Sequence, residues 1–474
     1  MTSEPTVRGL GQSIAEPAEI STPVPVVETF AVPTERDRAG GPRMAQEPPR
    51  RLRVLLIAEA ANPELVSVPL VGWSLARAIA RITDAHLVTQ VRNRAAILRA
   101  GLVEGEEFTA IDSERIAAPA YRLGTKLPGG WTTKMAVTAI SYRYFERLLW
   151  KRFGPELAEG RWDIVHRITP LSPTVPSIIG KRLAKLGIPF VIGPLNGGVP
   201  WPKEFDGARR AEREWLSYVR GGYKLLPGYR GTRKHATAII CGSKATLEQV
   251  PSWCRHKCHY MPENAIDPTR FSTRVDRPVS LPLRVAFVGR LVPYKCPDIL
   301  IEAAAPLVRD GKVVLDIIGD GPLMPRLRSM VAELGIEQGV RLDGWVPHEL
   351  LQDRLVESDV LGFPSIREFG GGVVLEAMAL GLCPIVVDYG GPGELVDASC
   401  GCLIPMASRG ELVKRLQAEL ADLAEQPSRM REMGTAARAR VLTRFTWDAK
   451  ARWTSEIYQS MLPRPSCGAP GALR

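Results

Sequence analysis

The sequence predicts an α/β protein made of two Rossmann-like domains that face each other across a cleft. Three observations lead there. Short apolar runs bounded by polar turns recur along the chain, as strands buried on both faces of a parallel sheet require. Helix-like stretches separate these runs, the pattern of a doubly wound sheet. The alternation occurs twice, and 474 residues exceed what one ordinary core accommodates.

The first series opens abruptly at Arg53-Val-Leu-Leu-Ile-Ala58 and continues at Asp163 to Ile168, Pro189 to Gly193 and Ala238 to Cys241. Helical periodicity lies between them, at Val71 to Ile82 and Pro176 to Leu186. The second series runs through Arg284 to Gly289, Val313 to Gly319, Val340 to Gly344, Asp359 to Pro364 and Cys383 to Val387. Between the two stands Met261-Pro-Glu-Asn-Ala-Ile-Asp-Pro-Thr-Arg-Phe271, followed by a proline-containing stretch of hinge composition. The expected segments are a disordered tail over 1–50, a first domain over 51–262, a linker over 263–282, a second domain over 283–446, a helix over 447–462 and a short tail over 463–474. The first tail is expected to be disordered because it is rich in Pro, Glu, Thr and Ser and shows no periodicity.

Apolar residues make up 45% of the chain and charged residues 24%, an ordinary globular composition. Its longest apolar stretch, Gly370 to Val387, is interrupted by Glu376 and reads as a buried helix and strand rather than a membrane span. Met-Thr-Ser-Glu-Pro at the start shows no secretory pattern, so a cytoplasmic location is expected. Eight scattered cysteines then imply reduced thiols. Cys254, His256, Cys258 and His259 lack zinc-like spacing and a second ligand pair, so no metal is expected there. The net charge of +11 invites an anionic partner. Residues 1–50 hold five Arg against seven acids, which assigns the basicity to the folded part.

Four features of the second half converge on one ligand. Arg290 and Lys295 follow a strand end, where an Arg fork and a mobile Lys charge suit a diphosphate; the alternative is a solvated basic loop. Ile318-Gly319-Asp-Gly-Pro322 places glycines after the next strand, for close backbone approach or simply a tight turn. Gly344-Trp345-Val346-Pro347 offers an apolar platform and backbone polar atoms to a nucleobase, or a packing Trp. The fourth is the run Glu368-Phe369-Gly370-Gly371-Gly372-Val373-Val374-Leu375-Glu376. Glycines at a helix start leave free amides and a positive helix end, an anion cradle. Glu376 lies among apolar neighbours in the helix, where a carboxylate can accept from ribose hydroxyls, while Glu368 in the loop faces a hexose.

Arg290 with Lys295, the glycine-proline turn, the Glu-x7-Glu run and Ala377-Met-Ala-Leu-Gly-Leu-Cys-Pro384 together resemble the retaining family 4 glycosyltransferases of GT-B fold. The resemblance is specific over Arg284 to Val396 and extends more loosely over Ala238 to Phe271. It implies that Arg290 and Lys295 bind the diphosphate, Glu376 the ribose, and Glu368 with the Phe369 to Gly371 backbone the transferred sugar. Phe445 to Leu462 resembles the last helix of that family, which crosses back onto the first domain. No Asp-x-Asp pair is present to hold a metal under a sugar nucleotide, so Arg290, Lys295 and the helix terminus are expected to meet the departing charge without metal or other cofactor.

The first half departs from that family. Its first loop, Glu59 to Gly72, has a single glycine, and where relatives carry a catalytic-site His this chain has Gly193-Pro-Leu-Asn196-Gly-Gly198, which resembles a variant subset. Asn196 is the candidate amide for a sugar hydroxyl, or a turn-stabilising residue. His166, at the end of Asp163-Ile-Val-His-Arg167, is expected to point into the cleft or to be structural, and Glu59 is a comparable outsider. The basic, aromatic segments Trp131 to Phe153 and Trp201 to His235 suit either anionic lipid or ordinary solvation. The expected partners are a UDP- or GDP-linked hexose and a saccharide or lipid-linked acceptor, with peripheral membrane contact as one reading. Charge without a stacking-aromatic pattern argues against nucleic acid. A sugar-nucleotide epimerase of the same fold and a non-catalytic nucleotide-sugar binding module remain as alternatives.

Overall fold

The computed structural model describes residues 50–119, 130–207, 228–273 and 280–462. Both expected tails lie outside the described residues, apart from Arg50, as does the 208–227 portion of the second basic segment. From Arg51 onward the described chain is one compact unit built on two parallel sheets.

The first sheet contains β1 (Arg53–Ala58), β2 (Asp84–Gln90), β3 (Phe108–Ile111), β4 (Ile164–Thr169), β5 (Phe190–Leu195), β6 (Ala238–Cys241) and β7 (Cys258–Tyr260), in the order β3-β2-β1-β4-β5-β6-β7. The second contains β8 (Leu283–Val288), β9 (Val313–Ile318), β10 (Val340–Gly344), β11 (Val360–Phe363), β12 (Cys383–Asp388) and β13 (Cys402–Pro405), in the order β10-β9-β8-β11-β12-β13. Both are doubly wound, with order reversing beside the first strand of each series. β2, β3, β7 and β13 are additional to the strands that the apolar runs predict, β7 being a three-residue edge strand. β2 carries Asp84, His86, Thr89 and Gln90, which obscure its Leu87-Val88 core, while β3 and β13 are four-residue edge strands.

Alternation along β1 and β4 divides the first domain into two cores. Leu55, Ile57 and Val165 face one, while Val54, Leu56, Ala58, Ile164 and Ile168 face the other. The second core is closed by Tyr458, Ile457 and Ala451 of the helix Trp447–Met461, which packs on the helix Val68–Ile82. Thr446 starts that closing helix, its Oγ1 accepting the Ala449 amide at 3.1 Å. Asp448 in its first turn pairs with Arg81. The last described helix thus packs on the first domain, and Trp201 and Phe205 of the first half are buried in the core of the second.

The same alternation corrects the expectation for His166. β4 runs on to Thr169, so His166 stands mid-strand on the face of Ile164 and Ile168, beneath the closing helix. It is completely buried, with Nε2 2.7 Å from the Gly193 carbonyl and Nδ1 2.6 Å from the Tyr458 hydroxyl. A carbonyl only accepts, so Nε2 carries the proton and Nδ1 accepts from Tyr458. His166 fastens the last helix to the first sheet and does not reach the cleft.

No described helix is long and apolar enough to cross a membrane. In the helix Gly130–Ala158, Tyr142, Phe145, Leu149 and Phe153 face the core, whereas Arg143, Arg147 and Lys151 stand one turn apart on the exposed side.

Burial lowers the His166 imidazole from 6.5 to about 4, with Arg167 adding to the shift and the Gly193 carbonyl opposing it. The fold favours the neutral ring, so this contribution is complete above 6.5 and is lost as pH falls towards the folded value. Urea unfolding should show a loss of about 2 kcal/mol between about pH 7.5 and 5 that His166→Gln removes. Tyr458→Phe should cost about 1–3 kcal/mol at neutral pH by leaving Nδ1 unpaired. An unchanged pH slope in His166→Gln would refute this assignment.

Candidate active site

A doubly wound sheet has a crevice where neighbouring strands send their connections to opposite faces. In the second sheet that point lies between β8 and β11. The loop after β8 carries Arg290 and Lys295, and the loop after β11 runs from Ser365 to Gly371. Backbone contacts hold these loops together, since the Tyr294 carbonyl accepts the Ile366 amide at 2.9 Å and the Ser365 hydroxyl at 3.2 Å. Lys295 Nζ consequently reaches Glu368 Oε2 at 2.6 Å, with the Phe363 ring 5.1 Å away. Both members of the ion pair are largely shielded, 15% and 24% exposed, so their attraction is worth more than that of a surface pair. Arg290 is exposed beside them and makes no side-chain hydrogen bond or ion pair among the described residues.

The glycine run forms as expected. Gly371, at φ 57°, enters the helix Gly372–Leu380, whose first amides have no partner within the helix. Glu376 projects from that helix half-buried, its Oε1 2.8 Å from His348 Nε2. Arg270 donates to His348 Nδ1 at 2.9 Å, so the ring proton sits on Nε2 and points at the carboxylate. Glu376 raises the basicity of this imidazole above its ordinary value, against burial and Arg270.

Two further strand ends border the crevice. Gly319, at φ 143°, lies so close to β8 that a Cβ would sit 1.9 Å from the Gly289 carbonyl, and its amide donates to the Gly344 carbonyl at 2.7 Å. Beyond Gly344, Trp345 is 72% exposed while Val346 packs against the domain core. Gly391 closes the opposite side, its amide donating to the Glu368 carbonyl at 2.9 Å.

The first domain meets this loop cluster directly. Asn196, at the end of β5, donates from Nδ2 to Glu263 Oε2 at 2.7 Å and accepts the Gly198 amide at 3.0 Å. Gly242 fits between Glu263 and Phe369, where a Cβ would lie 3.2 Å from Glu263 Cβ and 3.4 Å from Phe369 Cε1. Arg367 Nε donates to the Val199 carbonyl at 3.1 Å, and the Tyr389 hydroxyl to that of Pro200 at 3.0 Å. Glu394 accepts the Lys244 amide at 2.9 Å and the Tyr260 hydroxyl at 2.7 Å; burial raises its carboxyl above the ordinary range.

The structure therefore gathers Arg290, Lys295, Glu368, Phe369, Gly370, Gly371 and Glu376 at one crevice, with Gly319 and Val346 at its border and Asn196 opposite. His166 lies apart from them. Glu59 is half-buried at the end of β1, its carbonyl accepting from Asn93 Nδ2 at 2.9 Å and burial raising its carboxyl. Cys254 is buried in the first core with Cys258 packed against it, Sγ of Cys258 3.6 Å from the Cys254 carbonyl, whereas His259 packs edge-on against Trp453 with ring centroids 6.1 Å apart and His256 is exposed. Sequence reasoning missed Glu263, Asn264, Arg270 and His348. Glu263 follows the end of β7 as Glu59 follows β1, but only its pairing with Asn196, 67 residues away, marks it.

Residues 277–440 match the model of the family described as glycosyl transferases group 1. A D-inositol 3-phosphate glycosyltransferase of Nocardia farcinica is 34% identical over 187 residues, 38% of this chain and 40% of its own length. One from Streptomyces bingchenggensis is 31% identical over 183 residues, 36% and 39% of the two chains. The match thus spans about two fifths of the length of these curated relatives. Among solved structures, a glycosyltransferase from Rickettsia africae aligns with TM-score 0.55 at 15% identity over 88% of this chain and 100% of its own. HepE of Anabaena in complex with UDP aligns with TM-score 0.53 at 15% identity over 86% and 100%. These likenesses establish the GT-B fold across both domains.

Gly391 sets how closely the two loops approach, because a Cβ there would stand 2.1 Å from the Phe369 carbonyl oxygen. Gly391→Ala should destabilise the protein by about 1–3 kcal/mol in denaturant unfolding. Gly410→Ala, where nothing lies within 4 Å in the helix Arg409–Glu425, should be neutral or gain up to about 1 kcal/mol. Equal effects of the two changes would contradict the packing assigned to Gly391.

Proposed function

We propose that the chain transfers a hexose from a UDP- or GDP-linked donor to a saccharide or lipid-linked acceptor, with retention at the anomeric carbon and without a metal. The observation that carries this reading is the Lys295–Glu368 contact at the β8/β11 crevice, beside a glycine-started helix that carries Glu376. Lys295 and Arg290 bind the diphosphate together with the amides at Gly371 and Gly372, and meet its charge as the bond from the anomeric carbon to the phosphate oxygen breaks. Glu376, oriented by His348, accepts from the ribose hydroxyls. Glu368 and the Phe369 to Gly371 backbone hold the hexose, whose far side faces Asn196. The acceptor oxygen forms the new bond on the face that the nucleotide leaves, and its proton passes to the departing diphosphate.

HepE, which shares the fold and has been solved with UDP, supports a uridine nucleotide as the first donor to test. The exposed Arg143, Arg147 and Lys151 row supports presentation of a lipid-linked acceptor at an anionic membrane surface. Such contact would be peripheral and on the cytoplasmic side.

Transfer from UDP-glucose and GDP-mannose should be measured in EDTA over a panel of saccharide and lipid-linked acceptors, with the anomeric configuration read by NMR. Lys295→Ala should lower kcat/KM about 10²- to 10³-fold, as loss of a charge-stabilising group does. Glu376→Ala should weaken binding of the free nucleotide about tenfold or more. Turnover abolished by EDTA would sink the metal-free reading. Unchanged binding and turnover in both variants would sink the site assignment.

A further inference from the structure

Glu263 has no role in the reading above, yet it stands where the two domains meet. It opens the linker after β7, with its amide donating to the Gly242 carbonyl at 3.0 Å, and it is only 7% exposed. A carboxyl that deep needs a partner. Its Oε2 accepts from Asn196 Nδ2 at 2.7 Å. The Asn196 amide oxygen accepts from Gly198, and the Asn196 backbone amide donates to Leu171 at 2.7 Å. Thr246 and Gln249 hold the next two residues, at 2.9 Å to the Gly197 amide and 3.2 Å to the Gly198 carbonyl. Asn196 is thereby fixed in one orientation, and Glu263 is the charged member of the set.

The next residue, Asn264, reaches the other domain. Its Nδ2 occupies the space where a Cβ on Gly370 would come within 2.2 Å, and it also borders Gly372. One dipeptide therefore braces Asn196 on the first domain and the Gly370 backbone on the second. Lys450 secures the dipeptide from behind, its buried ammonium donating to the Pro262 carbonyl.

We infer that Glu263 is a positioning residue for the transferred sugar, fixing the Asn196 carboxamide and, with Asn264, the Phe369 to Gly371 backbone against the hexose. This rests on the nucleotide-sugar reading of the site and adds to it the group that sets sugar recognition apart from nucleotide recognition. The nucleotide side, with Arg290, Lys295 and Glu376, makes no hydrogen bond or ion pair to Glu263 among the described residues.

The charge on Glu263 makes the arrangement sensitive to pH. Burial pushes its carboxyl up to about 7, Glu368 pushes in the same direction, and Asn196 and Lys450 oppose both. Burial likewise lowers Lys450 to about 7, against the attraction of Glu263. The ionised carboxylate accepts from the Asn196 amide more strongly than the protonated acid does. Sugar recognition is therefore half complete near pH 7, strengthening as pH rises above it and weakening as pH falls below it.

The test uses calorimetric titration of the full chain with UDP and UDP-glucose, and with GDP and GDP-mannose, at about pH 8 and about pH 6. The quantity read is the ratio of dissociation constants for the free diphosphate and its sugar conjugate. Glu263→Ala should reduce that ratio about tenfold or more while leaving the free diphosphate within about twofold. Glu263→Gln keeps an oxygen for Asn196, so it should lose less affinity and show no pH dependence in the ratio; it also serves if Glu263→Ala fails to fold. A ratio in Glu263→Gln equal to that of the wild type at both pH values, or equal weakening of UDP and UDP-glucose, overturns the inference. If the wild type binds neither diphosphate nor conjugate, the sugar-transfer reading and this inference fall together. If it binds both and transfers nothing to any acceptor, sugar transfer alone falls, and the ratio still decides the role of Glu263.

Discussion

Lys295 and Glu368 belong to loops 73 residues apart, and nothing local would hold an ammonium 2.6 Å from a carboxylate. Their meeting depends on β8 and β11 being neighbours in a parallel sheet whose winding reverses between them. It depends next on Tyr294, whose carbonyl gathers Ile366 and Ser365, and on Gly391, which lets a third loop close over Glu368. The pair brings one positive and one negative group to the crevice with little solvent between them. On the proposed reading, a diphosphate arriving there would compete with Glu368 for Lys295 and leave the carboxylate to a neutral, hydroxyl-rich group. Separate recognition of phosphate and sugar would then follow from one ion pair rather than from two independent sites.

The other half of the crevice needs the first domain held in place, and the chain does this at three levels. His166 and Tyr458 fasten the last helix to the first sheet. Trp201 and Phe205 insert into the second core, and Arg367 stacks over Trp201 with its guanidinium carbon 4.8 Å from the ring centre. Glu394 bridges Lys244 and Tyr260 across the divide. Apolar burial dominates this set, since each hydrogen bond contributes only about 1 kcal/mol net. The polar contacts chiefly set the orientation of the domains.

Much of this was legible in the sequence for a definable reason. Strands buried on both faces leave apolar runs, and those runs located β1, β4, β5, β6 and five strands of the second sheet. The glycine run and Glu376 were legible because their chemistry is local: positive φ, free amides and a helix that carries one carboxylate among apolar residues. His166 was misplaced because its direction depends on strand parity. Its position mid-strand puts it on the side of Ile164 and Ile168, against a helix nearly three hundred residues later. Glu263 and His348 were missed because their partners, 67 and 28 residues away, are set only by the fold.

The linker joins these observations, because it does more than connect two domains. Glu263 and Asn264 at its beginning touch Asn196 and Gly370, and Arg270 near its middle touches His348 and through it Glu376. The same short segment thus contacts Asn196 and Gly370 at one side of the crevice and His348, beside Glu376, at another. Arg270 can only donate, which fixes the His348 proton on Nε2 and turns that ring into a donor to Glu376. Glu263 accepts, which turns Asn196 so that its amide hydrogens face the carboxylate and its oxygen faces Gly198. Any relative movement of the domains must displace the linker, and with it the partners of both groups. The contacts that shape the crevice and the contacts that bring the domains together therefore share the same atoms.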